Sequence, residues 1–188
     1  MSPRARSSQE PILKATLELI AEHGVDNVTV DTVAATTGVS KATLYRHWGS
    51  RAKLIHAAFA QPQRSSVEPD SGSLRDDLIG LLRQLVTYLN RRDSSSVFTS
   101  LIDAASRDPE LAALHKQNER EGRAFFERVI HRGIENGELP DDVDVRLLID
   151  VLISPFIYRR VVVLSTAKQA DVVPIVDCAL AAFGRVKT

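Results

Sequence analysis

Apolar side chains recur along most of the chain at the spacing of an amphipathic helix. Ile12, Ala15, Thr16, Leu19 and Ile20 form a first stripe that stops at Gly24, a glycine placed as a helix terminator. Two short helices follow over 29–38 and 40–48. Thr29 and Ser40 are their expected caps, Asp31 suits the dipole of the first, and Gly38 permits the tight turn between them. Ser50 caps a fourth helix that carries Leu54, Ile55, Ala58 and Phe59.

Residues 61–73 break the pattern with Pro, Ser, Gly and acidic residues and read as a linker. Helical spacing then resumes. Leu78, Leu81, Leu82, Leu85 and Leu89 lie on a helix over 74–92, and Phe98, Leu101 and Ile102 on one over 94–107. Asp108-Pro109 is a strong start signal for a long helix reaching Asn136, weakened by Gly122 and Gly133. Asp144 opens a very apolar helix that Pro155 is expected to kink, and Asp171 opens the last one. No useful length shows strand alternation, so the expected fold is all-α: a three-helix helix-turn-helix domain over 1–60 and a larger helical domain over 74–188.

Composition adds little until it is read locally. The 188 residues have no formal net charge, and 44% apolar with 26% charged residues is ordinary for a globular protein. Residues 1–60, however, hold seven basic side chains against five acidic ones, and from Lys41 to Lys53 four cations and His47 occur with no acid. That is one basic surface on a neutral chain. The apolar stretch from Val145 to Leu164 has membrane-like length, but Arg146, Asp150, Pro155, Arg159 and Arg160 interrupt it, so no membrane association is expected. The single cysteine, Cys178, precludes an intramolecular disulfide and suits a reducing cytoplasm; it reads as a small buried apolar side chain. The N-terminus does not read as a signal peptide.

Two short helices joined through Thr37-Gly38-Val39 match the helix-turn-helix pattern, with Val33, Ala34, Val39 and Leu44 locking them together. The second, over about 40–47, then presents Lys41, Ala42, Thr43, Tyr45, Arg46 and His47 outward, and its N-terminal end suits a DNA major groove. Trp48 reads as a plug behind it. The runs Ile12-Leu13-Lys14-Ala15, Leu19-Ile20-Ala21-Glu22-His23-Gly24, Val28-Thr29-Val30 and Gly38 to Trp48, continued by Ser50, Lys53 and Leu54, resemble the DNA-binding domain of the TetR family. Gly133, Gly137-Glu138-Leu139 and the Pro155 to Arg159 segment resemble a C-terminal domain common in that family.

The resemblance implies a bacterial cytoplasmic transcriptional regulator, a repressor that binds a palindromic double-stranded operator as a homodimer and leaves it when a small, mainly apolar effector binds. It implies phosphate contacts from Thr29, Tyr45, His47 and Lys53, with Arg46 a further phosphate candidate, and base-facing positions at Lys41, Ala42 and Thr43. Ala42 stands where the family often has glycine, and Trp48 where it often has phenylalanine. Arg4 and Arg6 form a basic tail able to enter a minor groove. The effector pocket is expected among Leu82, Leu85, Tyr88, Phe98, Leu101, Phe125, Phe126, Val129, Phe156, Tyr158 and Arg159, and the dimer interface at Ile175, Val176, Ala179, Leu180 and Phe183.

Chemistry of other kinds finds no foothold. His115 and His131, with Glu119, Glu121 and Glu127, make no recognised ligand spacing, so no metal or cofactor is expected. No phosphate loop, nucleophile motif or acid–base constellation is visible. Two rival readings stay open: an enzyme or carrier that keeps a helix-turn-helix as scaffold, and a DNA-binding protein without a ligand.

Overall fold

The computed structural model describes residues 3–60, 67–91 and 94–184, with side chains from 9 onward and, in the last stretch, from 97. It is all-α, with no strand among the described residues. The helices are α1 (Pro3–His23), α2 (Val30–Thr37), α3 (Lys41–Trp48), α4 (Arg51–Ala60), α5 (Leu74–Leu89), α6 (Ser94–Ala105), α7 (Pro109–Glu135), α8 (Val145–Val161) and α9 (Val172–Phe183). A 3-10 turn, Val25–Asn27, precedes α2, and another, Gln169–Asp171, precedes α9.

Most starts follow the local chemistry. Thr29 and Thr32 form a reciprocal capping box at α2, and the side chains of Ser40, Ser73 and Asp144 accept backbone N–H bonds at the starts of α3, α5 and α8. Asp108 accepts from the N–H groups of Glu110 and Leu111 at α7. Asp171 differs from expectation: it makes no side-chain cap to α9, and its carboxylate faces Arg159 at 3.3 Å. Pro11 and Pro155 lie in helix interiors, beyond the first turn. The first helix starts at Pro3, well before Ile12, and contains Pro11; α8 runs without interruption through Pro155.

Two compact units share the chain, and neither is a simple half of it. Among the described residues, the first holds α1–α4, α6 and α7 up to Asn118; the second holds 67–91 and everything from Glu119. Helix packing thus groups α6 and the start of α7 with α1–α4. The reason is the apolar face of α6 and the first turn of α7: Val97, Leu101, Ala104 and Leu111 complete the core formed by Ile20, Val33, Leu44, Ile55 and Phe59. Polar ties fix the same junction. The Val25 N–H donates to Ser100 Oγ at 2.7 Å, and Arg107 pairs with Asp26 at 2.6 Å.

The second core centres on Leu78, Leu82, Val86, Ile130, Leu148, Leu152, Phe156 and Val176. One buried acid sits at its edge. Asp77 accepts from the Ser71 N–H (2.8 Å), Ser71 Oγ (2.7 Å) and Arg132 Nη2 (2.8 Å), which ties the segment before α5 to α7. Burial pushes this carboxyl up, but the bonds from Ser71 and Arg132 outweigh it and hold the group below its ordinary value. Gly133 belongs to the same packing: a Cβ there would lie 2.7 Å from Leu74 Cδ2.

The rotation of α9 corrects two expectations. Val172, Val176 and Ala179 turn inward and are fully covered by the chain's own core, so Val176 and Ala179 are not available to a partner. Ile175, Leu180 and Phe183 flank that core and are partly covered. Cys178 is exposed, because it falls on the opposite face of the helix from Val176 and Ala179.

Candidate nucleic-acid interface

The turn between α2 and α3 is built as the sequence suggests. Gly38 takes a left-handed conformation (φ 70), and its N–H bonds the Ala34 carbonyl. Val33 and Leu44 are buried, joining the two helices to the core, and Trp48 is half-buried against the same cluster. Little else of α3 is covered. Lys41, Ala42, Tyr45, Arg46 and His47 are exposed, with Tyr45 at 51%, and Thr43 is half-buried. Thr29 at the start of α2 and Lys53 in α4 are exposed as well. A short helix that buries one leucine fully and exposes a phenol, two cations and an imidazole is shaped to be read by a partner, since its own packing does not need those groups.

Three neighbours organise this face, and none was visible in the sequence pattern. Asp31 pairs with Lys41 at 2.7 Å, both side chains remaining largely exposed. Gln9, on the upstream extension of α1, lies 3.3 Å from His47 Nδ1. Arg51, counted in sequence among the cations of the basic run, turns inward: its Nε donates to the Val28 carbonyl at 2.6 Å and its Nη2 to the Val25 carbonyl. Only the tertiary structure brings 9, 31 and 51 to these partners. The side chains of Arg4 and Arg6 lie outside the described residues.

The residues expected to line an effector pocket do not form one group. Leu82, Phe126, Val129 and Phe156 are buried in the second core, with Leu85, Tyr88 and Phe125 packed against it. Phe98 and Leu101 belong instead to the first unit, where Phe98 lies 6.1 Å from Phe59, centroid to centroid. Tyr158 is 57% exposed and Arg159 is engaged with Asp171, so neither is an interior handle. Tyr88 packs against the second core, and burial pushes its phenol up to about 12.

Fold and exposed face together define a DNA-binding helix-turn-helix protein. Comparison with known proteins gives the family. Residues 12–58 match the model of bacterial regulatory proteins of the tetR family, and residues 68–179 match the tetracyclin repressor-like C-terminal domain. The chain is 34% identical over 178 residues to the uncharacterised regulator Rv1556 of Mycobacterium tuberculosis, covering 94% of this chain and 85% of that one. It is 32% identical over 157 residues to the DNA-binding transcriptional repressor TetR of Mycobacteroides abscessus, covering 80% of each. The crystal structure of the TetR-family regulator SCO0332 superposes with a TM-score of 0.72 at 30% identity, covering 92% of this chain and 97% of that one. The chain belongs to the TetR family and is a helix-turn-helix transcriptional regulator, not an enzyme. Among the described residues, no helix is long and apolar enough to cross a membrane.

Proposed function

We propose that this regulator is a repressor that binds a palindromic operator as a homodimer and is released by a small, mainly apolar effector. The outward face of α3 carries the reading: Lys41, Ala42, Tyr45, Arg46 and His47 are all exposed on a helix anchored by Leu44. Lys41, Ala42 and Thr43 face bases from its N-terminal end, while Thr29, Tyr45, Arg46, His47 and Lys53 hold phosphates. The named repressor from Mycobacteroides abscessus supports repression over activation. Residues 1–60 carry the DNA contacts, and 74–91 with 119–188 carry effector and dimer contacts.

One helix per protomer reads one half-site, so a second copy gives the affinity and spacing a symmetric operator requires. The surface for it is the uncovered side of α8 and α9. Leu147, Val151 and Tyr158 are 51%, 40% and 57% exposed at helical spacing on α8. Pro174, Cys178 and Ala181 form the matching stripe on α9. The effector occupies a site opened among Leu85, Tyr88, Phe125, Phe126, Val129 and Phe156, with the Tyr88 hydroxyl as its polar handle. A ligand moves the equilibrium only by preferring the released conformation.

The test uses a duplex selected by the parent protein from a randomised pool. Tyr45→Ala and Lys41→Ala should each weaken binding about tenfold or more, by the loss of one charge-assisted or hydrogen-bonded contact, with helicity unchanged. Binding equal to the parent in both variants overturns the docking proposed here.

A further inference from the structure

Asp31 is the second residue of α2, on a turn fixed by the reciprocal bonds of Thr29 and Thr32. An acid there suits the helix dipole, but its carboxylate reaches across to α3 and meets Lys41 Nζ at 2.7 Å. The Lys41 and Asp31 side chains stay 57% and 66% exposed, and an exposed ion pair adds little to the stability of a fold. Its use lies elsewhere. Lys41 opens α3 directly after the Ser40 cap, at the end that the proposed docking turns toward base edges. Few polar groups share that end: Ala42 has none, and Thr43 is half-buried with its hydroxyl 3.0 Å from Ser40 Oγ. An ammonium on a flexible stem is a point charge that a phosphate takes as readily as a base does, so a lysine reads sequence only when something aims it.

We propose that Asp31 is a positioning residue for base recognition: by holding the Lys41 ammonium it keeps that side chain off the phosphates and aims its remaining N–H groups at a guanine in the major groove. The pair is close to neutral as a unit, so the DNA backbone attracts it weakly. The O6 and N7 acceptors of guanine still match the free donors of the ammonium, whereas adenine and thymine each show a single acceptor on that edge and cytosine none. The carboxylate adds a second discrimination. On a duplex without the guanine it stands near phosphates with no contact to offset the repulsion, which lowers non-specific binding. The capping box makes Asp31 a fixed tether, since the turn that carries it does not swing with the lysine.

This inference rests on the reading that α3 docks in the major groove, and the measurements separate the two. Duplexes are selected from a randomised pool by the parent, Asp31→Ala, Asp31→Asn, Asp31→Glu and Lys41→Ala, at a temperature where circular dichroism shows parental helicity. Affinity for the parent's selected duplex and for a scrambled one is then followed against salt. The parent should select a guanine in each half-site that Lys41→Ala no longer prefers. Asp31→Ala and Asp31→Asn should lose about tenfold of the discrimination for that guanine and bind the scrambled duplex more tightly. Their slope of log K against log salt should steepen by about one unit, because the freed ammonium turns to a phosphate. Asp31→Glu keeps the carboxylate and should stay within about threefold of the parent in discrimination. Discrimination within about twofold of the parent in both Asp31→Ala and Asp31→Asn overturns the proposal. So does equal weakening on both duplexes at the parental slope, the mark of a merely structural residue, or a Lys41→Ala protein that keeps every base preference. If Tyr45→Ala also binds like the parent, or the parent selects no duplex, the DNA-docking reading itself falls and this inference falls with it.

Discussion

The face around α3 and the second compact unit use their cations differently. In the first, Arg46, His47 and Lys53 stand on the surface of α3 and α4, and Lys41 is held only by an exposed pair with Asp31. In the second, Arg75 pairs with Asp177 at 2.6 Å, Arg128 with Glu68 at 2.6 Å, Arg123 with Asp150, and Arg132 with the buried Asp77 at 2.8 Å. These four pairs match charge within the second unit and hold its elements together. Charge on the α3 face is left for a partner, which is why the motif there is so readable: its side chains answer to DNA geometry more than to the packing behind them.

The contrast is sharpest on α9, where neighbouring positions have opposite fates. Val176→Glu places a carboxylate in the second core with no partner and should cost several kcal/mol, roughly 3–5, enough to remove most of a domain's stability. Leu147→Glu, on the exposed side of α8, should leave helicity and the thermal midpoint close to the parent while abolishing the proposed dimer, read by sedimentation. A folded, dimeric Leu147→Glu protein places the interface elsewhere.

Asp77 tests the internally matched charge. Asp77→Asn should destabilise the protein by about 2 kcal/mol near neutral pH, since Arg132 is partly solvated and the full cost of a buried broken pair does not apply. Burial opposes the charge on Asp77, yet its hydrogen bonds win and keep the folded value lowered. Its stabilising contribution is therefore complete above the ordinary carboxylate range and is lost as pH falls through the folded value below it. Denaturant unfolding of parent and Asp77→Asn should converge in acid; a gap that persists there means the pair is not what holds the segment.

The smallest effects concern two glycines that are needed for different reasons. Gly133→Ala should cost about 1–2 kcal/mol despite the gain in helix propensity, because the added methyl meets the buried Leu74 side chain. Gly38→Ala meets nothing within 4 Å, so its cost of about 1 kcal/mol is the left-handed backbone alone. Thermal unfolding with Leu74→Val in each background distinguishes them: it should couple to Gly133→Ala and add independently to Gly38→Ala.

How much of this was legible follows from where each piece of information resides. The caps Thr29, Ser40 and Asp144, the turn at Gly38, the helical class and the exposed residues of α3 all depend on bonds within a few residues, and the sequence by itself determined them. The facing of α9 depends on what α5 and α8 present to it. A helix apolar on nearly every side has no preferred rotation of its own, so Cys178 reads as buried until the core claims Val172, Val176 and Ala179 instead. Likewise the membership of α6 in the first unit, the separation of Phe98 and Leu101 from the other expected pocket residues, and the inward turn of Arg51 are set by partners 20 or more positions away. Only the tertiary structure decided those, because burial and long-range hydrogen bonding select among faces and partners that periodicity leaves equivalent.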